Sequence, residues 1–377
     1  MPRRARPCWA LLTGEYPPAE GGVADYTALL AAALAAAGDE VHVFAPEPAG
    51  ATAGVEVHPL PGHFGWRARR RAAAVLRGLD APRLLVQYVP HAYGRRAMNL
   101  GLIRWLARQP AAQPWVMFHE VAVRAEGGDR HRRRLLAAVT QRMARQLASA
   151  AARNFVSTPA WGTWLAELAP GAAAGEWLPV PSNLPAADPS AAAQARTRLT
   201  PAEGWLIASL GRFEHHQRQR LGWSLRALLE RHARAAAVLI GDGGGPLREV
   251  IVSAAPGLAP RLHAPGRLPA AAAAAQLAAS DLVLQSYPDG VSGRRGTAMA
   301  ALAQGCCLLT DAGWSTEPVW RESSGVALAP EGEWLATAEA LLGDRARRRR
   351  LGEAGRRLYA QQFALEHTVR RLREANA

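Results

Sequence analysis

Lysine is missing from this chain altogether. All 45 basic side chains are arginine, against 31 acidic ones, which leaves a formal net charge of +14. With the excess of alanine this marks a GC-rich coding bias, so a single arginine carries less chemical meaning than usual. A balance this basic still draws anions, whether nucleotides, an acidic lipid surface or nucleic acid. Cysteine is scarce, with three in 377 residues. Cys306 and Cys307 are neighbours on an expected strand and so point to opposite faces, while Cys8 lies on another strand. That excludes a disulfide framework, and no metal-ligand spacing stands out, so neither metal nor cofactor is expected. Apolar runs long enough to span a membrane are absent, as are the apolar core and cleavage site of a signal peptide. A cytoplasmic chain is expected.

What is present centres on Asp281 to Thr310, DLVLQSYPDGVSGRRGTAMAALAQGCCLLT. Leu282, Val283 and Leu284 read as a buried parallel strand. A turn-rich loop through Pro288, Asp289 and Gly290 leads to Ser292, Gly293, Arg294, Arg295, Gly296 and Thr297, then to an alanine-rich helix and a second apolar run. Strand, glycine-rich loop, helix and strand is a unit that receives phosphate at a helix N-terminus. Two adjacent arginines suit a diphosphate, because planar guanidiniums pair bidentately with its oxygens. A lone Arg-Arg pair is usually a solvated turn. Here it follows a buried strand, at the end where open α/β sheets bind ligands.

Along the chain, Cys8 to Thr13 is an apolar strand, and the loop after it reaches Gly21 and Gly22 at the head of a helix over 23–37. The pattern is not G-x-G-x-x-G, and no acidic residue follows at the offset of a nicotinamide ribose site, which disfavours a dehydrogenase. Further strands are expected at 41–44, 55–59, 84–88, 115–118, 153–156 and 177–180. The aromatic loop Tyr88 to Gly94 either contacts a sugar or merely connects. His119 and Glu120 directly follow a strand, a position that suits either a structural or a catalytic histidine. From Arg130 to Ala151, Leu135, Val139, Met143 and Leu147 form one apolar stripe beside Arg132, Arg133, Arg134, Arg142 and Arg145. This reads as a surface helix docked on its sheet, or more sharply as one that meets anionic lipid headgroups. A proline- and alanine-rich stretch follows, and then the strand–helix pattern restarts with strands at 205–210, 237–240, 261–264, 282–284, 306–309 and 326–328. Arg345 to Arg350 reads as a solvated helical face.

The motifs resemble those of the two-domain GT-B glycosyltransferases, in particular the retaining family numbered four, and the resemblance spans nearly the whole chain. Glu15 to Pro18, Gly21, Gly22 and Ala24 to Tyr26 resemble that family's opening glycine loop. His119 matches its sugar-contacting histidine, Gly211-Arg212-Phe213 its Gly-Arg turn, and Gly241-Asp242-Gly243 its Gly-x-Gly turn. Glu317, with Gly325 and Pro330, resembles a recurring C-terminal pattern. Most members carry a pair of glutamates in the region that here holds Asp289 and Thr297, or Ala300 when counted back from Gly305. The lysine that usually follows the Gly-Arg turn is replaced, with Gln217 at that spacing and Arg218 and Arg220 nearby. Arg294 and Arg295 read as the substitute cations.

The resemblance implies an α/β chain of two Rossmann-like, doubly wound domains facing a central cleft. The boundaries expected are 1–184 for an acceptor-side domain, 185–202 for a linker and 203–355 for a nucleotide-sugar domain. A C-terminal helix over 356–377 would pack back on the first domain. The implied reaction moves a sugar from a nucleoside-diphosphate sugar to a glycan, a lipid-linked or a small-molecule acceptor, with retention and without metal. The diphosphate would lie on Gly21, Gly22, Arg212, Arg294, Arg295, Gly296 and Thr297, with Gly241, Gly243 and Glu317 as further donor contacts. His119, Glu120 and Asp289 would act at the sugar. Partners would be the donor, the acceptor and, at the periphery, an anionic membrane. The alternatives are a nucleotide-sugar epimerase of the same architecture and a basic nucleic-acid-binding protein. The latter is disfavoured because the arginines lack interleaved aromatics.

Overall fold

The structure is a computed structural model that describes residues 6–374 apart from 95, 96, 110–112, 126, 127, 129, 130, 202 and 214; for 215–217 and 331 only the backbone is described. It divides into two compact units, Met1–Pro179 with Leu365–Ala377, and Val180–Ala364. Of the expected positions, Arg130 lies outside the described residues, as does the side chain of Gln217.

Among the described residues, the first unit carries seven parallel strands. They are β1 (Cys8–Thr13), β2 (Glu40–Pro46), β3 (Glu56–Leu60), β4 (Arg83–Tyr88), β5 (Trp115–Phe118), β6 (Arg153–Val156) and β7 (Gly175–Trp177), in the order β3-β2-β1-β4-β5-β6-β7. Their helices are α1 (Gly22–Ala36), α2 (Trp66–Leu76), α3 (Leu100–Leu106), α4 (His131–Ala150) and α5 (Pro159–Leu168). Every residue of β1 is buried, as a strand covered on both faces requires. Met143, Ala144, Leu147 and Ala148 of α4 join Val116, Phe118 and Val156 in the core, so α4 docks on the sheet as its stripe implied. Its first turn does not: Leu135 is 60% exposed.

The second unit repeats the plan with β8 (Trp205–Leu210), β9 (Ala235–Ile240), β10 (Leu262–Gly266), β11 (Leu282–Gln285), β12 (Leu308–Thr310) and β13 (Ala327–Leu328), in the order β10-β9-β8-β11-β12-β13. Its helices are α6 (Pro189–Leu199), α7 (His215–Arg231), α8 (Gly244–Ala254), α9 (Ala270–Ala278), α10 (Gly296–Ala303), α11 (Pro318–Glu322), α12 (Trp334–Gly343) and α13 (Arg345–Leu358). The last helix, α14 (Leu365–Glu374), belongs to the first unit. There Arg373 pairs with Asp39 at 3.1 Å, and the same carboxylate oxygen accepts the Trp9 indole N–H at 3.0 Å.

Three expectations need correction. The stretch 185–202 is no loose linker, because α6 occupies most of it. Asp188 caps that helix by accepting from the Ala191 amide at 2.8 Å, Pro189 opens it, and alanines fill it. The Gln304 amide group ties Pro185 and Ala187 to the same unit. The strand expected over 177–180 ends at Trp177, since Pro179 has no N–H to offer and Val180 donates instead to the Gly293 carbonyl at 2.7 Å. Finally, Arg348 is not on a solvated face. It is 9% exposed and donates to the Leu341 and Leu342 carbonyls, which lie at the end of α12.

The turns after β8 and β9 pack back to back. A Cβ on Gly241 would lie 2.1 Å from the Gly211 carbonyl oxygen, and one on Gly243 would lie 1.9 Å from that of Arg212. Gly245, on the first turn of α8, has open space around it. Gly243→Ala is therefore expected to destabilise the chain by about 1–3 kcal/mol, as overpacking does. Gly245→Ala should be neutral or stabilising by up to about 1 kcal/mol, because alanine is the better helix former. Urea unfolding of both variants measures the difference, and equal effects would remove the role assigned to close turn packing.

Candidate functional site

Both sheets reverse their strand order beside the first strand of the unit, at β1/β4 and at β8/β11. Loops leaving the carboxyl ends of those strands are where open α/β sheets hold ligands. In the second unit these are the Gly211-Arg212-Phe213 turn and the loop from Ser286 to Arg295. Arg212 is exposed there.

The long loop is held from beneath by the segment after β12. Asp311 accepts from the Tyr287 amide at 2.8 Å, from the Ser286 hydroxyl at 2.9 Å and from Arg220 of α7. Burial raises the Asp311 carboxyl above its usual range, and these donors oppose that shift. Gly290 has φ +89°, and a Cβ there would lie 2.2 Å from the Gly313 nitrogen, so only glycine fits. Ser315 donates from its amide (3.0 Å) and hydroxyl (2.8 Å) to the Asp289 carbonyl. Glu317, 4% exposed, accepts the Gly293 amide on both carboxylate oxygens at 2.9 and 3.1 Å. These contacts give the rest of the loop a single shape.

That shape presents Arg294 and Arg295 together, and the carboxylate of Asp289 receives both. Burial alone would raise the Asp289 carboxyl, but Arg295 and Arg294 outweigh it and hold the group below its usual range. Burial, together with Arg294, lowers Arg295 despite the opposing Asp289. The Arg295 guanidinium stands 4.7 Å over the Tyr287 ring, a cation–π contact, and the Tyr287 and Thr297 hydroxyls are bonded at 2.6 Å. Arg295 is the N-cap of α10, and Gly296 beside it has open space where a side chain would stand. Behind Arg295, the Ala298 and Met299 amides both donate to its carbonyl, at 2.9 and 3.1 Å. Asp289 thus faces both arginines from within the same loop.

In the first unit the loop after β1 packs on the loop after β4, since a Cβ on Gly14 would lie 2.4 Å from that of Ala92. Gly21 is the N-cap of α1, where a Cβ would lie 2.5 Å from the Glu15 carboxylate, and Gly22 is open. His119 is 7% exposed, and burial drives its imidazole down to about 3, so the ring is neutral. Its Nε2 lies 2.8 Å from the Gln87 side-chain amide, with which it shares a hydrogen bond. Its carbonyl accepts from Ser157 and from the Trp161 indole, both at 3.1 Å. The Tyr26 ring meets His119 edge-on at 4.9 Å. Among the described residues, the buried Tyr26 hydroxyl and Gln87 amide nitrogen have no hydrogen-bond partner. Glu120 is more open, 3.9 Å from His91. The aromatics of the Tyr88 to Gly94 loop are core, with Tyr93 bonded to the Gln87 carbonyl at 2.6 Å.

The structure therefore brings Asp289, Arg294, Arg295, Gly296 and Thr297 into one cluster. It uses Glu317 to hold the Gly293 amide, and Gly241 and Gly243 to let two turns touch. His119 and Glu120 belong to the first unit with Gly21 and Gly22. The sequence named Arg220 only as a basic residue near the Gly-Arg turn, and it missed the supporting residues Asp311, Ser315, Tyr287 and Gln87. Gln87, a lone amide at the end of the buried run of β4, carried a readable signal; the others did not.

No protein-family model matches the sequence, and no curated protein sequence does either. Solved structures do. A sucrose-phosphate synthase from Thermosynechococcus elongatus aligns at TM-score 0.72 and 18% identity, covering 98% of this chain and 98% of that one. WaaG, a glycosyltransferase involved in lipopolysaccharide biosynthesis, aligns at 0.68 and 16%, covering 96% and 98%. Anabaena HepE, solved in complex with UDP-glucose, aligns at 0.67 and 16%, covering 97% and 98%. At these identities the likeness is one of fold, and that fold is the GT-B arrangement of two Rossmann-like domains expected from the motifs.

The Asp289 pairing has a pH signature. A carboxyl lowered in the folded chain supplies stability above its unfolded value, near about pH 4, and loses it as pH falls through the folded value. Asp289→Asn removes the carboxylate that faces both half-buried guanidiniums and is expected to cost about 3–5 kcal/mol at pH 7. That difference should narrow as the wild type is acidified below pH 4. Urea unfolding at pH 7 and pH 3 reads both, and a penalty unchanged at pH 3 would assign the loss to packing.

Proposed function

We propose that this chain, which has the GT-B fold, is a glycosyltransferase that moves a sugar from a nucleoside-diphosphate donor to an acceptor. The observation that carries the reading is the Asp289–Arg294–Arg295 cluster at the N-terminus of α10, beside the β8/β11 reversal. HepE, whose fold is similar, was solved with UDP-glucose, with UDP and glucose, and with UDP. A diphosphate would draw the two guanidiniums from Asp289 onto its own oxygens, with Thr297, the α10 amides and Arg212 as further donors.

Charge grows on the leaving phosphate as the glycosidic bond breaks. Fixed cations there stabilise the transition state more than the ground state. The arginines fill the part a divalent ion would otherwise take, so the reading needs no metal. His119, neutral at working pH, would act as a hydrogen-bond partner that orients the sugar and not as a proton donor. The buried Tyr26 hydroxyl and Gln87 amide offer further polar atoms beside it. Asp289 would then act by positioning the arginines, with Glu120 left as the more exposed carboxylate near the sugar. Retention of configuration is part of the reading through the family resemblance.

A lipid-linked acceptor is favoured by the first turn of α4, where Arg132, Arg133, Arg134 and Leu135 are all exposed. Among the described residues no helix is long and apolar enough to cross a membrane, so contact would be peripheral. Attraction of about 1 kcal/mol per arginine, fading within a Debye length, would hold it there.

Thermal shift across nucleoside diphosphates and their sugars tests the donor, because a ligand bound only by the folded state raises its melting point. Arg295→Ala should weaken nucleotide binding by about 2–5 kcal/mol, whereas exposed Arg350→Ala should leave it unchanged. Equal effects would reduce the cluster to a surface loop. His119→Ala should lower turnover with nucleotide affinity intact, and loss of that affinity in a folded protein would misplace the residue. Donor converted with no acceptor present would favour the epimerase. Co-sedimentation with anionic vesicles, compared with neutral ones at low and high salt, tests the membrane. Binding that survives replacement of Arg132, Arg133 and Arg134 by glutamine would leave a soluble acceptor.

A further inference from the structure

The tripeptide Glu-Val-His occurs twice, as Glu40-Val41-His42 on β2 and as Glu56-Val57-His58 on β3. These are adjacent parallel strands at the edge of the first sheet, on the other side of β1 and β4 from β5, which His119 follows. Their register pairs His42 with Glu56 and Phe44 with His58. Alternation along each strand therefore puts Glu40, His42, Glu56 and His58 on one face.

The side chains converge. His42 Nδ1 lies 3.0 Å from His58 Nε2, and the two Glu56 oxygens reach one nitrogen each, Oε2 to His42 Nδ1 at 3.5 Å and Oε1 to His58 Nε2 at 3.6 Å. Ligand atoms bonded at roughly 2.0–2.2 Å around a tetrahedral zinc ion stand about 3.3 Å apart, close to the spacing of the two ring nitrogens and to each carboxylate contact. Glu40 accepts from His42 Nε2 at 2.9 Å, which keeps the proton there and turns the Nδ1 lone pair inward. The His42 and His58 rings stack with an interplanar angle of 14°, and Phe44 stacks on His58 with centroids 4.8 Å apart, so both imidazoles are held in place. His42 is buried, whereas the Glu56 side chain is 66% exposed, which leaves the fourth position open to water. The opposing charge nearby is Arg71, held against Glu47 at 3.7 Å.

We propose that His42, His58 and Glu56 bind one zinc ion that clamps the edge strand β3 to β2, with Glu40 orienting His42 from outside the coordination sphere. Two imidazoles and one carboxylate are a ligand set that zinc accepts, and the ion takes no part in the sugar chemistry. The sequence showed no ligand spacing because the donors come from separate strands brought together by register.

The test uses the full chain, stripped with a chelator and titrated with Zn²⁺ against a chromophoric competitor, with the melting point followed in parallel. One zinc per chain and a raised melting point are expected, with no effect of Mg²⁺. Glu56→Gln, at an exposed side chain that the fold does not need, and His58→Gln should each abolish stoichiometric uptake. Glu40→Gln should weaken it about 10–100-fold, the usual effect of losing an orienting partner. Cys8→Ser should change nothing, although Cys8 lies with Glu40 and His42 on the other side of that ring. The absence of stoichiometric zinc would overturn the proposal and leave a proton shared between the two imidazoles as the whole explanation. So would uptake that survives both ligand changes, or that is lost with Cys8.

Discussion

Two guanidiniums side by side in a half-buried loop repel each other, and one carboxylate between them makes the arrangement stable. The loop between β11 and α10 depends on that balance. Asp289 is held by two hydrogen bonds from Ser315 to its carbonyl, so the carboxylate cannot wander from the arginines. Glu317 and Asp311 do the same for the backbone on either side. Three buried carboxylates thus serve one loop, two by accepting its amides and one by neutralising its cations. A loop so framed has its ordering cost met at folding and not at binding, which is what preorganised recognition requires.

The first unit solves a different problem with the same architecture. His119 sits at the matching kind of position, one residue past a buried strand, yet its surroundings strip it of charge instead of supplying it. Its carbonyl and ring are both hydrogen-bonded, and burial favours the neutral form of the ring. One unit offers fixed positive charge and the other a fixed neutral dipole.

The elements themselves were legible in the sequence. Buried strands announced themselves as apolar runs, and the turns at Gly211, Gly241 and Gly290 were marked by glycines that the backbone cannot do without. The cation pair was visible because Arg294 and Arg295 lie on the turn-rich loop that follows such a run. What stands around them was not visible. Asp311 and Glu317 are ordinary acidic residues until β12 is laid beside β11, which is a matter of sheet order and not of spacing.

Arginine shows the limit most clearly. With 45 of them and no lysine, sequence could not rank one against another. Arg348 sits in a run of five charged residues in six and is nonetheless buried on the end of α12, while Arg350 stays in water. The segment 185–202 looked like a linker because proline and alanine are common in linkers, yet Asp188, Pro189 and the alanines were also the start of a helix. The chain alone determined where strands and helices begin, which glycines are obligatory and that the fold is doubly wound, because those follow from local sterics and apolar periodicity. Only the tertiary structure decided which charges are buried, which carboxylate faces which arginine and which histidines meet, because burial and pairing belong to neighbours distant along the chain.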